Sequence, residues 1–95
     1  MVTRPDHSLR DPDRAVELAE RALAVIETEP MEEDVFSMRR AATLDTHAEA
    51  LFQVGRYQEA LLAQQEAVSL ARAAGLDNLS VLVRRLAAIE EALSR

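Results

Sequence analysis

The sequence has no cysteine, only two glycines and three prolines, and 3% aromatic residues. Without cysteine there can be no disulfide, no thiolate metal site and no cysteine nucleophile. So little glycine and proline leaves little turn chemistry to divide the chain. No apolar run approaches the 18 residues a membrane-spanning helix needs. The opening segment MVTRPDHSLR is polar and has no apolar core, so it does not read as a signal peptide. The cytoplasm is the location expected by default. Positive charge is also scarce: the net charge is −6 and the pI is near 4.8. An acidic surface repels phosphate backbones, and Arg39-Arg40 and Arg84-Arg85 are pairs rather than basic patches, so nucleic acid is not an expected partner.

What is present is helix-forming material. Hydrophobic residues make up 48% of the 95, and 17 are Ala and 13 are Leu. Ala and Leu favour helices, whereas strands favour β-branched and aromatic residues. The composition predicts an all-α chain of one small domain, with residues 1–10 a flexible tail and 11–95 the helical domain.

Four helices are expected. Asp11 can cap, Pro12 suits a first helical turn, and Ala15, Leu18, Ala19, Ala22 and Ile26 recur at helical spacing. The first helix should therefore run from about 12 to 28 and stop before Pro30. Glu17 and Arg21 form an i,i+4 pair on it. The second helix opens on the acidic run at 32–34 and carries Val35, Met38, Ala41, Leu44, Ala48, Leu51 and Phe52, with a break near Arg40 conceivable. Gly55 ends it, because glycine takes the left-handed cap conformation without a Cβ penalty. Arg56 to Ala74 form the third helix, with Tyr57, Ala60, Leu61, Gln64, Ala67, Val68 and Ala71 on one face. A link this short makes helices two and three antiparallel. Gly75 repeats the device, Asp77 or Asn78 caps, and Leu79, Leu82, Val83, Leu86, Ile89 and Leu93 line the fourth helix from 79 to 93.

The stretch Ala50–Val68, ALFQVGRYQEALLAQQEAV, carries the most specific pattern. Ala60 and Ala67 are small where two helices must cross closely, and Tyr57 can pack over the end of helix two near Gly55. This combination resembles the tetratricopeptide repeat. Gly55, Tyr57, Ala60 and Ala67 match the second half of its unit, and Leu44, Ala48 and Leu51 match the first helix, over about residues 41–74. The chain departs from the family at His47, where leucine is usual, at Gln64, where an aromatic or apolar residue is usual, and in lacking the proline after the second helix. Helix one aligns with helix three through Ala15, Ala19 and Ala22 on Ala60, Gln64 and Ala67, an offset of 60 − 15 = 45 residues. That is longer than the usual ~34. It resembles the longer variants of 40-odd residues. The chain thus reads as half a repeat, one whole repeat and another half.

The resemblance implies a protein–protein interaction module, an α-solenoid fragment of antiparallel hairpins that takes protein or peptide partners. Repeat units cannot bury their apolar faces alone, so self-association as a homodimer is expected ahead of cover by a larger parent protein or a self-sufficient four-helix monomer. The alternative is a small structural or regulatory helical protein, either an obligate homodimer or an acidic cap on a basic partner. In the family, ligands lie along the first helix of each unit, here Ala42, Asp45, Glu49, Phe52 and Gln53. Asp45 and Glu49 would form an acidic groove with Phe52 as its apolar anchor, or would pair with Arg84 or Arg85.

No catalytic constellation is visible. His7 and His47 are the only histidines, and no glycine loop cradles phosphate. Asp45, His47 and Glu49 make a poor metal site, since His47 points away from the face the two acids share. His47 reads as a partly buried packing residue hydrogen-bonded to a neighbour. The expectation is no enzyme activity, no metal and no cofactor.

Overall fold

A computed structural model describes residues 11–95, so the predicted tail at 1–10 lies outside the described residues. Four helices follow one another: α1 (Pro12–Thr28), α2 (Glu33–Gln53), α3 (Tyr57–Ala74) and α4 (Leu79–Leu93). There is no strand among the described residues, and no helix is long and apolar enough to cross a membrane.

Local chemistry sets the boundaries. Asp11 caps α1, its carboxylate accepting from the Asp13 N–H at 3.1 Å, and Pro12 opens the first turn. Glu29 turns extended before Pro30 and ends the helix, as the residue before a proline must. α2 starts with Glu33 and Asp34 at its positive end and runs through Arg40 without the conceivable break. At Gly55 φ is +85°. The Arg56 N–H donates to the Leu51 carbonyl at 2.9 Å and the Gly55 N–H to that of Phe52 at 3.1 Å, a Schellman closure. Gly75 closes α3 identically, with Leu76 N–H to Ala71 O at 2.9 Å. Arg56 stands just outside α3 and places two hydrogen bonds on Glu59, at 2.8 and 2.6 Å.

Cross-helix pairs fix the directions. Glu20 meets His47 and Glu27 meets Arg40, so α1 and α2 are antiparallel. Arg40 meets Glu66, Asp45 meets Gln64, and the Phe52 ring lies 4.9 Å from the Tyr57 ring, so α2 and α3 are antiparallel as well. Extensive packing occurs only between chain neighbours, α1 on α2, α2 on α3 and α3 on α4. The result is a slab of 49 × 37 × 20 Å, about two helix diameters thick, not a bundle closed by α1 against α4.

Small side chains form the seams. Ala41, Ala48, Ala60, Ala67 and Ala71 are wholly inaccessible, which lets the backbones of α2 and α3 approach. Leu44, Leu51, Val68, Leu82 and Ile89 fill the remaining space. Burying a leucine such as Leu51 or Leu82 contributes about 2–3 kcal/mol.

Four expected inward positions are exposed. Leu18 is 48% exposed, Met38 53%, and Tyr57 and Val83 39% each, Tyr57 keeping its expected contact at the end of α2 through Phe52. On α1 Ala19 and Ile26 are buried as expected, but Val16 and Leu23 complete the covered stripe in place of Leu18, with Ala15 and Ala22 half-buried beside it, which rotates it from the expected one. The alanine-rich sequence carries both stripes, and docking on α2 selects between them.

Candidate functional site

Three helices meet at a cleft of about 220 Å³ lined by Asp45, Glu49 and Phe52 of α2, Gln64 of α3, and Arg85, Ala88 and Ile89 of α4. The spacing explains the alignment: 45, 49 and 52 are one face of α2, and 85, 88 and 89 one face of α4. Of the five residues expected on this face, Asp45, Glu49 and Phe52 come together. Ala42 lies instead in a groove between α1 and α2, and Gln53 is exposed at the end of α2 outside the cleft.

The two carboxylates have different surroundings. Asp45 is largely covered and receives two donors, the Arg85 guanidinium on one oxygen and the Gln64 amide, at 3.0 Å, on the other. Its charge is neutralised within the fold. Glu49, one turn along, is exposed and has no ion-pair partner among the described residues. It is the uncompensated charge of the cleft, beside an apolar wall made by Phe52, Ala88 and Ile89.

Gln64 is the residue that sequence reading undervalued. It is 1% exposed, and its amide nitrogen donates both to Asp45 and to the Leu82 carbonyl of α4 at 3.1 Å. One side chain thereby ties α3 to both walls of the cleft, and a polar group at a buried seam position is accounted for. Its place on the inward face of α3 and its departure from the apolar residue usual there were the signals in the sequence.

The opposite side of α2 carries a second polar set. Arg40 donates to Glu66 at 2.9 and 3.0 Å and to Glu27 at 3.1 Å, bridging α1 and α3 across α2. Burial works against its charge, but the two carboxylates outweigh that and raise its pKa. His47 places Nε2 3.3 Å from Glu20, while its Nδ1 is buried with no hydrogen-bond partner. His47 therefore faces α1 and Asp45 faces α4, so the two diverge around the helix. These groups rim an apolar groove of about 330 Å³ floored by Leu23, Leu44, Leu51, Leu62 and Ala63.

The cleft between α2 and α4 thus offers a free carboxylate, a neutralised pair, an amide and an apolar wall, with no hydroxyl, thiol or imidazole among its lining residues. Such a set suits non-covalent recognition of a group that is both cationic and apolar. Compared with protein-family models, curated proteins and solved structures, the chain matches none.

Proposed function

We propose that the chain is a protein-binding helical module of the tetratricopeptide type, without catalysis, that takes a cationic amphipathic segment of a partner into the cleft between α2 and α4. The neighbour-only stacking of four helices, the alanine seam at positions 60 and 67 and the glycine closure at 55 support the repeat reading. One observation carries the binding reading: Asp45 is neutralised by Arg85 and Gln64, while Glu49 stands uncompensated against Phe52, Ala88 and Ile89. A lysine or arginine flanked by leucines would meet opposite charge and apolar surface at once.

A labelled 15-residue Leu/Lys amphipathic peptide tests this against its Leu/Glu counterpart. The Lys form should bind and the Glu form should not. Phe52→Ala should weaken binding about tenfold, an anchor worth over 1 kcal/mol, and Glu49→Lys should weaken it markedly. Glu33→Lys, the same charge change away from the cleft, should leave affinity near wild type. If Glu33→Lys and Glu49→Lys weaken binding equally, only net charge is at work and the cleft is not the site.

A second reading is self-association. It is favoured by large apolar side chains left open on three helices, with Leu62 66% exposed, Met38 53%, Val25 50% and Leu18 48%. The net charge of −6 is compatible with the acidic-cap alternative, in which the partner is a basic protein, without arguing for it.

A further inference from the structure

The 45-residue offset relating α1 to α3 also relates α2 to α4. Met38-Arg39-Arg40-Ala41-Ala42-Thr43-Leu44-Asp45 aligns with Val83-Arg84-Arg85-Leu86-Ala87-Ala88-Ile89-Glu90, an offset of 83 − 38 = 45. The four helices are therefore two copies of one pair, in the order α1-like, α2-like, α1-like, α2-like. Equivalent positions have unequal cover. On α3, Ala60 and Ala67 are wholly buried and Ala63 is 8% exposed, because α2 lies over them. On α1, their equivalents Ala15 and Ala22 are only half-buried and Leu18 is 48% exposed. With Ala42, Thr43 and Thr46 of α2 they line a groove of about 390 Å³. At the other end, Ala41 and Ala48 of α2 are inaccessible, whereas their equivalents Leu86 and Leu93 of α4 are half-buried.

We propose that copies of this chain join head to tail, α4 of one copy seated in the groove between α1 and α2 of the next, as α2 packs on α3 within one chain and meets α4 through the Asp45–Arg85 pair. The occupant is a second copy because α4 has the α2-type face that the groove lacks, and α1 has the α3-type face that α4 lacks. Charge agrees. The Asp45–Arg85 ion pair joins α2 to α4, and its equivalents are Glu90 of the incoming helix and Arg40, which Glu27 and Glu66 already hold outside the groove. Beside Arg40, Arg39 is exposed with no carboxylate partner among the described residues, so Glu90 of the incoming helix meets cationic surface. One position opposes: Glu66, held by Arg40, has Arg21 as its equivalent, and Glu17 neutralises Arg21 at 3.1 Å. The two faces differ, so the interface is heterologous, and addition continues into a chain or a ring instead of stopping at a two-fold dimer. This surface is distinct from the α2/α4 cleft, and the proposal does not depend on what binds there.

Sedimentation velocity on the full chain up to about 0.5 mM, a range that reaches weak association, tests it. The expected result is a mass that rises past the dimer. Leu18→Arg blocks the groove, and Glu90→Arg with Leu93→Arg blocks α4. Both sets change exposed or half-buried residues, and circular dichroism checks that helix content is kept. Each blocked chain alone should associate at least about tenfold more weakly. Mixed, the two should form a 1:1 dimer through their one intact junction. A monomer throughout the range, a dimer of fixed mass that survives both blocks, or a mixture that stays monomeric would each overturn the proposal. Should a blocked chain unfold, the wild-type mass decides alone.

Discussion

Gly55 and Gly75 owe their identity to backbone angle and not to crowding. A Cβ at either would meet nothing within 4 Å, yet both have positive φ, +85° and +66°. Gly75→Ala should cost about 1–2 kcal/mol in urea unfolding, the penalty of a left-handed non-glycine residue; a stabilised variant would contradict the closure described for α3. Gln64 is the other residue whose chemistry is specific. Gln64→Leu would keep volume but remove the donor to Asp45 and to the Leu82 carbonyl. A loss of about 1–2 kcal/mol is expected, and unchanged stability would show that the tie between α3 and α4 is idle. The link between α2 and α3 carries a titration signature. The Arg56 hydrogen bonds hold the Glu59 carboxyl below the usual glutamate range. A carboxyl with a depressed folded pKa stabilises above its unfolded pKa and ceases to do so as pH falls through the folded value. Carbon-detected titration should therefore find Glu59 ionised to lower pH than in Arg56→Ala, and an identical midpoint in the two proteins would exclude the pair in solution.

The helices differ in how far the sequence could reveal them. α1 and α4 have the predicted bounds because local chemistry marks their ends, Asp11-Pro12 and Pro30 for α1 and Gly75 before α4, although the expected cap at Asn78 holds the position without a side-chain cap hydrogen bond. Their inward faces were less legible. Leu18 and Val83 fit a helical stripe as well as the buried residues do, and only the neighbouring helix decides which stripe is covered. α2 was hardest to read, since helices cover it on two sides. Arg40 and His47 serve one side and Asp45 the other, which leaves no single apolar face. Within the cleft, Asp45, Glu49 and Phe52 were expected from the resemblance, which also named Ala42 and Gln53 outside it. Gln64, Ala88 and Ile89 were not, because their membership depends on where α3 and α4 lie. The α2–α3 seam is the element most open to test. Ala60 is inaccessible between the two backbones. Ala60→Leu should overfill it and cost about 1–3 kcal/mol, and a melting temperature equal to wild type would mean the helices do not approach so closely.

The whole molecule combines an acidic balance with a thin slab of four helices whose described residues include the α2/α4 cleft and the grooves along α1 and α2. A slab exposes more surface than a closed bundle of the same length, so its grooves must either meet water or meet another protein. The polar groups divide these surfaces. Arg40 and His47 close the side facing α1 and α3 with internal pairs, whereas the α2/α4 cleft retains one carboxylate with no ion-pair partner among the described residues, and the proposed recognition of a cationic amphipathic segment rests on that difference. Nuclear magnetic resonance titration of the isotope-labelled chain with the Leu/Lys peptide tests it most directly, with the Gln64 side-chain amide as a reporter inside the cleft. The expected result is saturable shifts at Glu49, Phe52, Ala88, Ile89 and the Gln64 amide, with α1 unmoved. Shifts confined to α1 and to Ala42, Thr43 and Thr46, or none at saturating peptide, would contradict it.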